Sequence, residues 1–154
     1  SIFEKLYVLK KHVVIISLIA LVLQSFTIQS NPANFFVLKT NLSDDPILQQ
    51  INNGKLVYNK NCVACHQING AGIPGAFPPL AKSDYLNANV NRAIKQVIVG
   101  SSGPITVNGK KYTVPMPKPN LNDQQIADVL TYIYASWGNN KTVLKSEMVM
   151  AMRK

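Results

Sequence analysis

The chain is short of ligands for a metal cluster and short of acid. Among 154 residues there are two cysteines, two histidines and one tryptophan, and 7 acidic side chains stand against 16 basic ones. A structural zinc site wants four ligands. The cysteines and the histidine beside them supply three, and the other histidine, His12, lies in an apolar run near the N-terminus. A thioredoxin-type dithiol wants a βαβ setting, and the residues around these cysteines show none. The net charge of +9 is scattered along the chain and not clustered with aromatics, which argues against a nucleic-acid partner. Setting aside residues 1–30, with three Lys and one Glu, 13 basic and 6 acidic residues remain. That excess serves solubility, and it also steers encounter with an acidic partner surface.

Long apolar runs are scarce too. The clearest is Val13 to Leu23, eleven residues preceded by Lys5, Lys10 and Lys11. As a helix, eleven residues span about 17 Å, short of the roughly 30 Å hydrocarbon core. Extension to Ile28 takes in Gln24. Residues 1–30 therefore read as a signal peptide or a short retained anchor. Ile28-Gln29-Ser30 is a poor cleavage site, and the expectation adopted is an anchor, a soluble periplasmic protein being the alternative. Lys10 and Lys11 would face the cytoplasm, with Phe35 and Phe36 at the outer interface. Either way the remaining chain is delivered to the periplasmic side of a bacterial inner membrane. Residues 31–43 lack clear periodicity and read as a linker.

Against this background Cys62-Val63-Ala64-Cys65-His66 stands out. Two thiols three positions apart, followed by an imidazole, is the arrangement that attaches a c-type haem. Each thiol forms a thioether to one vinyl group, and the histidine reaches the iron. One motif implies one haem, and its apolar surface lets a domain of about 100 residues build a core around it.

Asp44 or Asp45 starts a helix with Pro46 at its first position, and Ile47, Ile51, Gly54 and Tyr58 share one face. The pattern Gly54-x-x-x-Tyr58-x-x-x-Cys62-x-x-Cys65-His66 resembles the N-terminal helix of the class I, single-haem cytochrome c family. The resemblance extends over about residues 45–140. It implies crossed first and last helices with a small residue at the contact. It also implies a Pro-x-Leu element in the next loop whose proline carbonyl holds the ligand histidine. Pro78-Pro79-Leu80 matches, so Pro78 is the expected acceptor and Leu80 a haem contact.

The loop from Gln67 to Leu80 carries three glycines and three prolines and reads as irregular. Ser83 or Asp84 caps a middle helix with Leu86, Val90, Ala93, Ile94, Val97 and Ile98 inside, ended by Gly100. Asn108-Gly109 between β-like residues predicts a small hairpin before the second haem ligand. That ligand is expected to be Met116. Haem iron in electron transfer is commonly held by His and Met; Met116 lies fifty residues past His66 in a proline-rich loop, whereas Met148, Met150 and Met152 fall in a polar tail. The last helix starts at Asn122 with Gln125 three residues on and Leu121 positioned to staple Ile126. Its expected inner face is Ile126, Val129, Leu130, Ile133 and Trp137, closed by Gly138, with Tyr132 or Tyr134 meeting Gly54.

The expected architecture is an all-α cytochrome c fold, three to four helices around one covalent haem plus a hairpin, after a hydrophobic N-terminal helix. The domain is expected over residues 44–140, with a polar tail over 141–154 and a short helix near Glu147. Phe77-Pro78-Pro79-Leu80-Ala81, Gly103 to Gly109 and Ile126 to Asn139 look like the cytochrome domains fused to some copper nitrite reductases and serving other respiratory enzymes. No copper domain is present in this sequence, and Ser101-Ser102 stands where that branch suggests a bulkier apolar residue. The implied function is electron transfer between respiratory partners, as carrier or subunit, without catalysis by this chain. The alternative is a haem sensor or catalytic haem domain in which Met116 lets go and iron binds a small ligand.

Overall fold

Asp45 opens the first helix, α1 (Pro46–Asn61), its carboxylate accepting the Ile47 N–H at 2.8 Å with Pro46 in the first turn. A computed structural model describes residues 45–153; the expected anchor and linker lie outside them. Gly54 and Tyr58 are buried as the spacing requires, but Ile47 is 45% exposed. It sits two turns before Gly54, where α1 makes its closest approach to another helix, and so falls beyond the contact. At Cys62 the backbone leaves the helical track and a single turn, α2 (Val63–His66), follows.

The expected middle helix is two helices. Ser83 Oγ accepts the Leu86 N–H to cap α3 (Asp84–Ala88), and Asn89 Oδ1 accepts the Arg92 N–H to cap α4 (Val90–Val99). An asparagine in mid-pattern offers the backbone a cap in place of continuation, and here the cap wins. Strands β1 (Ile105–Val107) and β2 (Lys110–Tyr112) pair antiparallel, Ile105 opposite Tyr112. Asn108 and Gly109 both have positive φ, as a two-residue turn matched to strand twist demands.

The last long helix, α5 (Asp123–Ala135), starts with the reciprocal bonds between Asn122 and Gln125. It ends earlier than expected. Trp137 and Gly138 have φ of +52° and +80° and lie in a turn past the helix. Every residue from Ile126 to Tyr134 is buried, more than one stripe. The reason is that α5 is enclosed: α1 crosses it, α4 packs beside it, and a C-terminal helix, α6 (Ser146–Ala151), covers another side. The segment read as a polar tail thus contributes Leu144 and Val149, both fully buried. Thr131 Oγ1 accepts the Leu144 N–H, Gln50 donates to the Leu144 carbonyl, and the Arg153 guanidinium pairs with Asp123 and the Leu121 carbonyl.

The α1–α5 crossing is the most extensive contact between described elements. It turns on Gly54, where a Cβ would run into the Asp128 carbonyl and lie 2.8 Å from Tyr132 Cβ. Tyr132, not Tyr134, is therefore the tyrosine at the crossing. Tyr134 is buried elsewhere, its hydroxyl donating to the Leu86 carbonyl at 2.9 Å. Beside the crossing the rings of Tyr58, Tyr132 and Trp137 pack with centroids 5.2–5.5 Å apart.

Gly54→Ala is expected to lose roughly 1–3 kcal/mol in denaturant unfolding, the range for overpacking. Gly103→Ala, with no atom near its would-be Cβ, stays within about 0.5 kcal/mol of the parent. Stability should also depend on pH in the alkaline range. Burial pushes the Tyr134 phenol up to about 12, against an opposing pull from Arg92. An unfolded tyrosine titrates near 10, so the unfolded chain releases this proton first. Stability is level below about pH 10 and falls as the pH rises toward 12. Tyr134→Phe should flatten part of that fall in melts recorded across the range; burial of Tyr58 acts in the same direction.

Candidate functional site

A cleft of about 1230 Å³, counted out to its open mouth, lies among α2, the Phe77–Leu80 loop, α3 and α4, the hairpin, the Met116 loop and α5. Cys62, Cys65, His66, Pro78, Leu80 and Met116 are all on its wall. The structure thus brings these six expected haem-site residues to one cleft. The remaining wall is largely apolar, with Ile105, Val107 and Tyr112 of the hairpin closing one side.

His66 is aimed by a backbone acceptor. Its Nδ1 lies 3.0 Å from the Pro78 carbonyl oxygen. A carbonyl only accepts, so Nδ1 carries the hydrogen and the neutral ring keeps its lone pair on Nε2. Burial lowers the pKa of His66, with the Pro78 bond opposing; a neutral imidazole is the form that binds metal. The loop bearing Pro78 is anchored on several sides. Leu80 and Ala81 both donate their N–H to the Gly70 carbonyl at 2.8 and 2.9 Å, and Gly72 N–H donates to the His66 carbonyl at 3.0 Å. Gly70 has φ +68°, and a Cβ there would collide with the Trp137 ring.

Met116 is anchored through its main chain. Ser101 and Met116 exchange both N–H···O bonds at 2.9 Å, an isolated antiparallel bridge where the chain leaves α4. Ser101, which stands where the resembled branch suggests a bulkier apolar residue, is thus the backbone partner of the candidate ligand, a task that does not depend on its side chain. Pro115 and Pro117 flank Met116 and also line the cleft. Met148 and Met150 are exposed and Met152 packs on the core; none reaches the cleft.

The thiols are free and partly buried. Burial, with Cys65 adding, pushes the Cys62 thiol up to about 11. It is therefore a neutral thiol at physiological pH in the free chain. Among the described residues no three His, Cys, Asp or Glu side chains are grouped to hold a metal ion. Two thiols, an imidazole oriented by a backbone carbonyl and a methionine on the wall of one apolar cleft fit a covalently attached haem.

Some of the wall was not foreseen. Tyr85 and Gln96 line the cleft, Gln96 donating to the Tyr85 hydroxyl at 3.2 Å. The Arg92 guanidinium lies over the Tyr85 ring, 3.7 Å from its centroid, and bonds the Tyr85 carbonyl. Its Nε is buried without a partner. The available signal was Gln96 itself, a polar residue three positions after Ala93 and so on the same side of the helix. Asp84 was expected only as a possible helix cap. It also locks the hairpin in place: its carboxylate accepts the Asn108 N–H at 2.7 Å, and Asn108 Oδ1 accepts the Asp84 N–H at 3.0 Å.

Comparison with known proteins accords with this geometry. The family model described as Cytochrome c matches residues 51–137, more than half of the chain. Cytochrome c-552 of Thermus thermophilus is 44% identical over 87 residues, covering 53% of this chain and 66% of that protein. The cytochrome c subunit of the quinone alcohol dehydrogenase of Gluconobacter oxydans is 34% identical over 93 residues, covering 59% of this chain and 20% of that subunit. The gluconate 2-dehydrogenase cytochrome c subunit of Pantoea cypripedii is 33% identical over 106 residues, 66% of this chain and 24% of the subunit. The match thus spans about two thirds of the bacterial c-552 and about a fifth to a quarter of the dehydrogenase subunits.

Asp84→Ala should free the hairpin. Amide exchange in β1 and β2 is expected to rise about tenfold, the equivalent of one net hydrogen bond. Amides of α1 and α5 should keep their protection in the same measurement.

Proposed function

Because this chain belongs to the cytochrome c family, an electron carrier with covalent haem c, we propose that its haem is held by Cys62 and Cys65 and ligated by His66 and Met116. The observation that carries this reading is that His66 and Met116, fifty residues apart in sequence, wall the same apolar cleft beside both thiols. When bound, the iron supplies the chemistry by gaining and losing one electron. The chain's own task is to hold the site closed while that happens. Pro78 fixes the His66 ring, the Ser101 bridge and two prolines hold the Met116 loop, and the hairpin keeps water from one face. With His and Met both engaged no position is left for a substrate, which accords with transfer and not catalysis.

The partner we propose is a respiratory redox protein with an acidic docking surface, or a membrane complex that holds this domain as a built-in wire. Support comes from the basic excess and from relatives that are cytochrome subunits of alcohol and gluconate dehydrogenases. The likeness to domains fused to copper nitrite reductases rests on the runs of sequence given above, and a nitrite-reducing partner is the narrower form of the same proposal. Residues 1–30 fit delivery to the periplasmic side of the inner membrane, with retention as an anchor.

Met116→Ala is the direct test. The oxidised parent protein is expected to show methionine–iron charge-transfer absorption, and the variant to lack it. The reduced variant should bind carbon monoxide at neutral pH where the parent does not. Persistence of the absorption in the variant would refute the ligand assignment, and ready carbon monoxide binding by the parent would favour the sensor or catalytic alternative.

A further inference from the structure

Asn139 is a polar side chain 8% exposed, close to the cleft but absent from its wall. Its amide is almost fully used. One Nδ2 donates both to the Leu80 carbonyl and to the Ile133 carbonyl, each at 2.9 Å, and Oδ1 accepts from Asn87 Nδ2 at 3.0 Å. Asn87 Nδ2 also donates to the Ser83 carbonyl at 2.8 Å, and Asn87 Oδ1 accepts the Asn140 N–H at 3.2 Å. The orientation of the Asn139 amide follows from this. Turned over, it would set its own oxygen against two carbonyl oxygens and offer hydrogens to a donor.

What the amide holds matters because of the two residues before Leu80. Pro78 and Pro79 have no N–H, so this stretch cannot be anchored by its own donors. The direction of the Pro78 carbonyl is set from either side. Toward the N-terminus, Phe77 exchanges bonds with Ile73. Toward the C-terminus, the Leu80 and Ala81 N–H groups meet Gly70, and the Lys82 N–H meets the Trp137 carbonyl at 3.2 Å. Most of these ties are within the loop itself. Asn139 is the side chain that fastens the loop to the end of α5, through Ile133.

We propose that Asn139 is a positioning residue of the haem site: through the Leu80 carbonyl it holds the Pro78 carbonyl against the His66 Nδ1–H and so sets the electron density of the axial imidazole. A carbonyl pulling on Nδ1–H makes the ring a stronger donor to iron, which favours the oxidised state. Loosening the strut weakens that pull, so the reduction potential should move upward. The inference rests on the assignment of His66 as the iron ligand.

The test is made on the haem-loaded protein with Asn139→Leu, which keeps bulk and removes the donors, and with Asn87→Leu, which keeps both donors and removes the partner of Oδ1. Two quantities are read: exchange of the His66 Nδ1–H in the reduced protein by NMR, and the midpoint potential. Asn139→Leu should speed the exchange about tenfold, the worth of one net hydrogen bond, and raise the potential. Asn87→Leu should shift both in the same direction by less. A variant that melts lower but keeps the parent's exchange and potential overturns the proposal, since a merely structural residue would behave so. If Asn139→Leu does not fold, unchanged values in Asn87→Leu overturn it alone. Absence of haem-shifted His66 ring resonances in the parent protein would overturn the ligand assignment and this inference together, and is distinguishable from failure of Asn139 alone.

Discussion

The contact at Gly54 is the constraint on which the other elements depend. Two helices approach until backbone meets backbone, and only a residue without a side chain permits it. That contact fixes how α1 lies against α5, and the end of α1 is where the two thiols and His66 begin. Because α5 is gripped there on one face, its opposite faces are free to take α4 and the cleft on one side and α6 on another. A helix interior normally loses about 1 kcal/mol by using glycine rather than alanine, and here the loss is offset by burial of Tyr58, Tyr132 and Trp137 around the crossing.

The site follows a common pattern in its two halves. In each, a side chain that faces the cleft is aimed by main-chain bonds made elsewhere. His66 is aimed by a proline carbonyl on a strut with few donors of its own. Met116 is aimed by a two-bond bridge to Ser101. The side chains that set the chemistry are thus separate from the groups that set their position, so the wall of the cleft can vary in polarity without unseating either.

Much of this was legible in the sequence because it was written in spacing or in cap chemistry. The cysteine pair, Asn122 with Gln125, Asn108-Gly109, and the Gly54–Tyr58 face each impose a local geometry that tertiary packing then accepts. What was not legible depended on neighbours distant in the chain. The burial of α5 on several sides required knowing that α6 returns to cover it. Asn89 looked like one more helical position until its side chain took the Arg92 N–H. Asn139 carried no local signature, because the carbonyls it serves belong to a loop and a helix that meet only in the folded protein. Arg92 similarly draws its meaning from Tyr85, seven residues before it.

The order in which the elements are made gives the Gly54 crossing a further consequence. The buried face of α1 has no partner until α5 has been synthesised, and α5 is not fully covered until α6 follows. During synthesis the thiols of Cys62 and Cys65 therefore precede the element that clamps them. A chain in that condition presents its Cys62–His66 motif as an open peptide, with no cleft wall yet closed around it. The same late clamp that gives the finished protein its rigidity keeps the unfinished one receptive.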